Sequence, residues 1–237
     1  MTIPFFNMLP AFGRISGSAS STIGAGGNFL PSRARRDSDP GLRSLRGKID
    51  GDHPNIRIRG EGNKKRARVQ FRIRAKDSIT GNDRSELAAG PLFDGDETRA
   101  IGVSFRVVQL DPLTGFGYFL QIWQPVEEPR AGIRLNTRDN NRYDLVSRSG
   151  GGMTRRFRKD GKWNHVVMEL NNDEGITWRR RSGAVLARSP AGFLNPNGRE
   201  ESWRPKFGYY GTGGRDANIE FKQFTVGTLA EVLEAMG

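Results

Sequence analysis

Polar and apolar residues alternate along much of this chain with a period of two. Over residues 66–74, Val69, Phe71 and Ile73 fall on one side of the pattern, and Arg66, Arg68, Gln70, Arg72 and Arg74 on the other. That is the signature of a strand with one face buried. Ile56 and Ile58 alternate in the same way with Arg57 and Arg59. Further strands are predicted over 100–109, 117–124, 132–136, 142–148, 163–171, 175–181, 184–188, 203–211 and 218–227. Turn chemistry punctuates them at Thr80-Gly81-Asn82-Asp83, Asp94-Gly95-Asp96, Ser149-Gly150-Gly151-Gly152, Lys159-Asp160-Gly161 and Gly211-Thr212-Gly213-Gly214. One good helix is predicted, at the end of the chain. Thr228 and Glu231 have capping-box spacing, and Leu229, Val232, Leu233 and Met236 form a helical stripe suited to covering a sheet.

Many short strands without crossover helices argue against a doubly wound α/β fold. They predict an all-β, antiparallel jelly-roll (concanavalin-like) β-sandwich with an extended N-terminal arm and a short C-terminal helix. Residues 1–52 are assigned to the arm, 53–227 to the sandwich and 228–237 to the helix. From Gly13 to Asp52 the chain is rich in Gly, Ser, Pro and Arg, with too little apolar surface to offset its ordering entropy. The tip carries Ile3, Phe5, Phe6, Met8, Leu9 and Phe12, a cluster suited to docking on a protein partner or a second copy of the chain. A plain leader is the alternative. Deleting the arm is expected to leave the sandwich folded.

Composition narrows the chemistry. With 35% hydrophobic and 27% charged residues over 237 positions, no apolar run approaches the length of a spanning helix. The first residues lack a basic segment and are interrupted by Pro4, Asn7 and Pro10, so no ordinary secretory signal is read. Localisation stays open, with an extracellular or virion-surface setting favoured by the arm. Cysteine is absent, His53 and His165 are the sole imidazoles, and neither a metal nor a cofactor is expected. Asp94-Gly95-Asp96 is too common a pattern to indicate calcium. The net charge of +12 and the isoelectric point near 10.6 fit a polyanionic partner, acidic polysaccharide or nucleic acid, or serve solubility alone. No nucleic-acid-binding motif accompanies the charge, which argues against nucleic acid.

Three segments carry candidate chemistry. In Arg84-Ser85-Glu86-Leu87, Arg84 and Glu86 share a strand face. A guanidinium can clasp a carboxylate through two parallel hydrogen bonds, and Glu86 can hold it in position. In the segment 118–124, Gln121 and Trp123 share a face: the amide can hydrogen-bond a carboxyl or hydroxyl group, and the indole can stack on a sugar ring. As a lone strand tryptophan, Trp123 is read first as a core residue. In the segment 203–210, Lys206, Gly208 and Tyr210 share a face, with the glycine leaving room for a ligand. A tyrosine can deliver or accept a proton, and the Lys206 ammonium favours the phenolate. An ordinary half-buried strand is the alternative. Arg68 and Arg72, on the basic face of their strand, add cations for an acidic substrate. His165, within Trp163-Asn164-His165-Val166-Val167, reads as structural, and His53 lies in a loop near the arm.

Taken in order, these segments resemble the jelly-roll polysaccharide lyases, the alginate-lyase and heparin-lyase-like group. That pattern has an Arg-Ser/Thr-Glu-Leu/Val-Arg strand, a Gln-Ile-His strand and a late Tyr-x-Lys-x-Gly-x-Tyr-x-Gln strand. Here the first reads Arg84-Ser85-Glu86-Leu87-Ala88, without the final Arg. The second reads Gln121-Ile122-Trp123, with Trp123 where histidine is expected. The third keeps Lys206, Gly208 and Tyr210 and loses the first Tyr and the Gln. The resemblance spans residues 56–227 and implies β-elimination on an acidic, uronate-containing polysaccharide. It implies Arg84 and Gln121 on the uronate carboxylate and Tyr210 as acid. Because an indole cannot accept a proton, Tyr210 would also serve as base, tuned by Lys206. Two other readings stay open, a non-catalytic glycan-binding module and a structural assembly protein tied down by its arm.

Overall fold

A computed structural model describes residues 6–8, 28–32, 56–59, 68–73, 82–90, 98–111, 116–124, 127–136, 139, 141–147, 152–156, 162–171, 174–190, 203–212 and 216–237. His53, the turns around Asp94 and Asp160, and the rest of the expected arm lie outside the described residues. In chain order the strands are β1 (Phe6–Met8), β2 (Asn28–Ser32), β3 (Ile56–Arg59), β4 (Arg68–Ile73), β5 (Asn82–Gly90), β6 (Arg99–Leu110), β7 (Gly117–Gln124) and β8 (Glu127–Leu135). They continue as β9 (Arg142–Ser147), β10 (Gly152–Arg156), β11 (Asn164–Asn171), β12 (Gly175–Arg179), β13 (Val185–Arg188), β14 (Arg204–Thr212) and β15 (Ala217–Gly227), and helix α1 (Leu229–Met236) follows.

The strands form two sheets, as the alternation predicts. One runs β13-β12-β11-β6-β15-β4-β3, with β1 also on β15, and the other runs β10-β9-β8-β7-β14-β5-β2. All pairings are antiparallel except that of β1 with β15. Two pieces of residues 1–52 therefore belong to the sandwich itself. Phe6–Met8 lies beside Phe224–Val226, and Asn28–Ser32 pairs with Glu86–Gly90.

The core lies between the sheets and is dominated by aromatic side chains. Phe71, Phe105, Phe119, Trp178, Trp203, Phe207, Tyr209, Phe221 and Phe224 are buried. Phe207 stacks on Phe224 at 4.3 Å and meets Phe221 edge-on at 5.4 Å. Strict alternation would send Phe221 and Phe224 to opposite faces, three residues apart. A register shift between Phe221 and Gln223 resolves this, and both rings enter the core. Leu120 and its neighbour Phe119 are both buried beside a similar shift in β7.

Helix α1 closes the outer face of the eight-stranded sheet. Thr228 caps it, accepting from the Glu231 amide, while the Glu231 carboxylate accepts from the Thr228 amide at 2.9 Å. Those Thr228 donors hold the Glu231 carboxyl below its usual range, so the cap is intact at neutral pH and is lost as pH falls through the folded-state value. Val232 and Met236 lie over Gly102 so closely that a Cβ there would stand 2.8 Å from both side chains. Gly102→Val is therefore expected to displace the helix and to cost about 1–3 kcal/mol, read as a lowered urea midpoint. An unchanged midpoint would contradict this docking.

Candidate functional site

Strand β14 is the centre of the candidate site. Phe207 and Tyr209 turn inward and are buried, and Lys206 and Tyr210 turn to the outer face of the seven-stranded sheet. Gly208 has φ +133°, a conformation that side-chain-bearing residues rarely adopt. It sits at a bulge: against β7 the register shifts between Phe207 and Tyr210, while pairing with β5 continues unbroken. The glycine is therefore required by the backbone, and the bulge sets Tyr210 opposite Tyr118.

Following the register outward gives a row of directly opposed residues across six strands. Arg84 on β5 faces Tyr210, Tyr210 faces Tyr118 on β7, and Tyr118 faces Arg134 on β8. Arg134 faces Asp144 on β9, and Asp144 faces Thr154 on β10. Directly opposed residues share a face, so the row is a polar and aromatic stripe about 24 Å long at the usual strand spacing. Tyr210 and Tyr118 are half-buried, and the Phe116 ring meets them at 5.2 and 6.1 Å. Asp144 accepts from Asn136 Nδ2 at 2.9 Å and Thr154 Oγ1 at 2.7 Å, and Arg134 approaches it at 3.9 Å. Tyr118, Arg134, Asp144 and Thr154 were not singled out from the sequence. Their common row depends on cross-strand register, which no single strand encodes.

The other expected residues divide. Lys206 faces Gln121 on β7 and Ala88 on β5, two rows from Tyr210, and Glu86 faces Gly208 in the row between. Lys206 lies four positions along β14 from Tyr210, about 13 Å between Cα atoms, whereas Arg84 is the directly opposed neighbour. Gln121 and Tyr210 are offset by three residues of β7, about 10 Å. Exposure separates them further, with Gln121 and Lys206 at 2% and 6% against a half-buried Tyr210. Trp123 faces Arg204, two residues beyond Gln121.

Arg68 and Arg72 do not join this face. They lie on β4, in the other sheet, and point outward because Val69 and Phe71 take the core side. Arg68 meets Glu220 at 3.0 Å, and Arg106 meets the same carboxylate at 2.6 Å, so this part of the basic strand serves a structural ion pair. His165 is also on that sheet, its Nδ1 2.7 Å from Ser104 Oγ. Ser104 donates to Gln223 Oε1 at 3.0 Å, and Gln223 Nε2 donates to the Ala235 carbonyl, so this chain ties the sheet to α1. Among the described residues no group of three or more His, Asp or Glu side chains is placed to hold a metal ion.

No family model and no curated protein matches the chain by sequence. Solved structures do match it by fold. Alginate lyase AlgAT5 from polysaccharide lyase family 7 superposes with a TM-score of 0.58 at 13% identity, over 84% of this chain and 93% of that one. The alginate lyase from Corynebacterium sp. gives 0.56 at 12% identity, over 80% and 85%. Alginate lyase A1-II', a member of family 7, gives 0.55 at 14% identity, over 73% and 83%. At such identities the likeness is one of architecture, and this chain folds as the jelly-roll β-sandwich of the family 7 alginate lyases.

Proposed function

We propose that the outer face of the seven-stranded sheet binds an acidic, uronate-containing polysaccharide along the row from Arg84 to Thr154 and cleaves it by β-elimination at Tyr210. One observation carries this reading: Tyr210 stands half-buried between Arg84 and Tyr118 on the face of a fold shared with alginate lyases. In the reaction, Arg84 pairs with the uronate carboxylate and stabilises the charge that develops when the C5 proton leaves. The Tyr210 phenolate takes that proton, the electron pair forms the C4–C5 double bond, and the C4–O bond breaks. The phenol then returns the proton to the leaving oxygen, which restores the phenolate. Gln121 and Lys206, two rows along the strands, act as positioning residues beneath the polymer. Tyr118 provides an aromatic wall and Arg134 a second cation.

Trp123 favours a second reading, in which the face binds the glycan without cleaving it, because an indole offers no lone pair for a proton. One experiment separates the two. The protein is incubated with alginate, glucuronan and heparin-type polymers, and absorbance of the unsaturated product is followed beside retention on the same polymers immobilised. Product formation supports the lyase; retention without product supports the binding module. Absence of both across the panel removes the glycan reading.

A further inference from the structure

A separate cleft of about 290 Å³ lies where strand β10, the start of β11 and the turn joining β12 to β13 meet. Its lining includes Arg155 and Arg156 from β10, Arg180, Arg181 and Ser182 from the turn, and Asn164, and none of its lining residues is acidic. Five other arginines carry counter-charge. Arg68, Arg106, Arg134, Arg142 and Arg179 each meet a carboxylate within 3.9 Å. Among the described residues, Arg155, Arg156, Arg180 and Arg181 meet none.

The scaffold holds these charges together. The Arg180 amide donates to the Ala184 carbonyl at 2.8 Å, and the Gly183 amide donates to the Arg180 carbonyl at 2.9 Å. Gly183 supplies the left-handed corner at φ +84°. Arg179, clamped to Glu169 at 2.7 Å, donates to the Gly183 carbonyl at 3.1 Å and fixes the turn from below. The concentration of charge reaches beyond the cleft, since burial first and Arg181 second hold the Lys222 ammonium below its usual range.

Guanidinium groups present forked donors that match oxyanions, and four of them without counter-charge favour a multiply charged group over a single carboxylate. The Asn164 amide and the Ser182 hydroxyl add neutral partners, and the volume sits at the small end of ligand sites. We propose that this cleft is a second binding site, for a multiply charged oxyanion of the phosphate or sulfate type, at the β10 end of the sheet and distant from Tyr210. Four strand spacings divide β10 from β14, about 19 Å.

The test is calorimetric titration of the full chain with inorganic phosphate, inorganic sulfate and glucuronate, each at constant ionic strength set with chloride. Saturable binding of phosphate or sulfate is expected, at least about tenfold tighter than glucuronate, and the tighter of the two identifies the group preferred. The double variant Arg156→Gln/Arg180→Gln, at exposed positions, should weaken binding by about tenfold or more, while Tyr210→Phe leaves it unchanged. Heats no larger than those of chloride, glucuronate binding as tightly as the dianions, or full affinity in the double variant would each overturn the proposal. Should the double variant misfold, Arg181→Gln alone is expected to lose several-fold in affinity, and undiminished binding there is equally decisive. The glycan face is read separately, by polymer retention and product absorbance, so failure of this site and failure of that face give different results.

Discussion

The variant Tyr210→Phe is expected to lose β-elimination by about 10²–10⁴-fold, the range associated with removing a positioned acid or base. The substitution takes away the hydroxyl and keeps the ring. The edge-on contact with Phe116 at 5.2 Å survives, and so does the strand pairing with Arg84 and Tyr118. Stability and retention on immobilised glycan should therefore stay at wild-type levels while product absorbance disappears. A rate unchanged by Tyr210→Phe would remove Tyr210 from the chemistry, whatever else the face does. Arg84→Ala should act differently, weakening retention together with rate, because it removes the cation that meets the substrate carboxylate in the ground state as well as in the transition state.

The largest effect on stability is expected from Phe221→Ala, a loss of about 3–5 kcal/mol. Phe221 is fully buried, and its ring lies 5.6 Å from Phe71, 5.4 Å from Phe207 and 6.1 Å from Phe105. These neighbours come from both sheets, so they cannot close a cavity without moving one sheet against the other. Urea unfolding measures the loss. Val185→Ala, at a position 45% exposed, serves as the control and should shift stability by no more than about 0.5 kcal/mol. Equal losses at the two positions would mean that the aromatic cluster is not the core it is described to be.

Strands with strict alternation were legible in the sequence, as β4 shows, because one face is buried and the other is not. Sites where two local signals compete were not. Thr80-Gly81-Asn82-Asp83 and Gly211-Thr212-Gly213-Gly214 both carry turn chemistry, yet Asn82 and Asp83 pair with Thr212 and Gly211 and prolong β5 and β14. Each supplies the ladder that the other's composition disfavours, a tertiary effect overriding propensity. Strand β10 was hidden for the same reason, since its Gly152 closes a run that reads as a turn. Within the candidate site, period two correctly put Lys206 and Tyr210 on one face. It could not show the bulge at Gly208, which decides that Tyr210 stands in the row of Arg84 and Tyr118 and that Gln121 stands with Lys206, beyond the row of Gly208. Nor could the arginine pattern of β4 say which of two sheets it belonged to, and β4 lies in the sheet that does not carry Tyr210.

Asn28–Ser32 pairs with Glu86–Gly90 on β5, the strand that carries Arg84. A chain begun after residue 32 would leave the amides and carbonyls of that stretch without their ladder. Uncovered backbone of this kind is a template on which other chains polymerise. The segment Asn28–Ser32 and the strand that carries Arg84 are thus mechanically joined, and removing one reshapes the flank of the other.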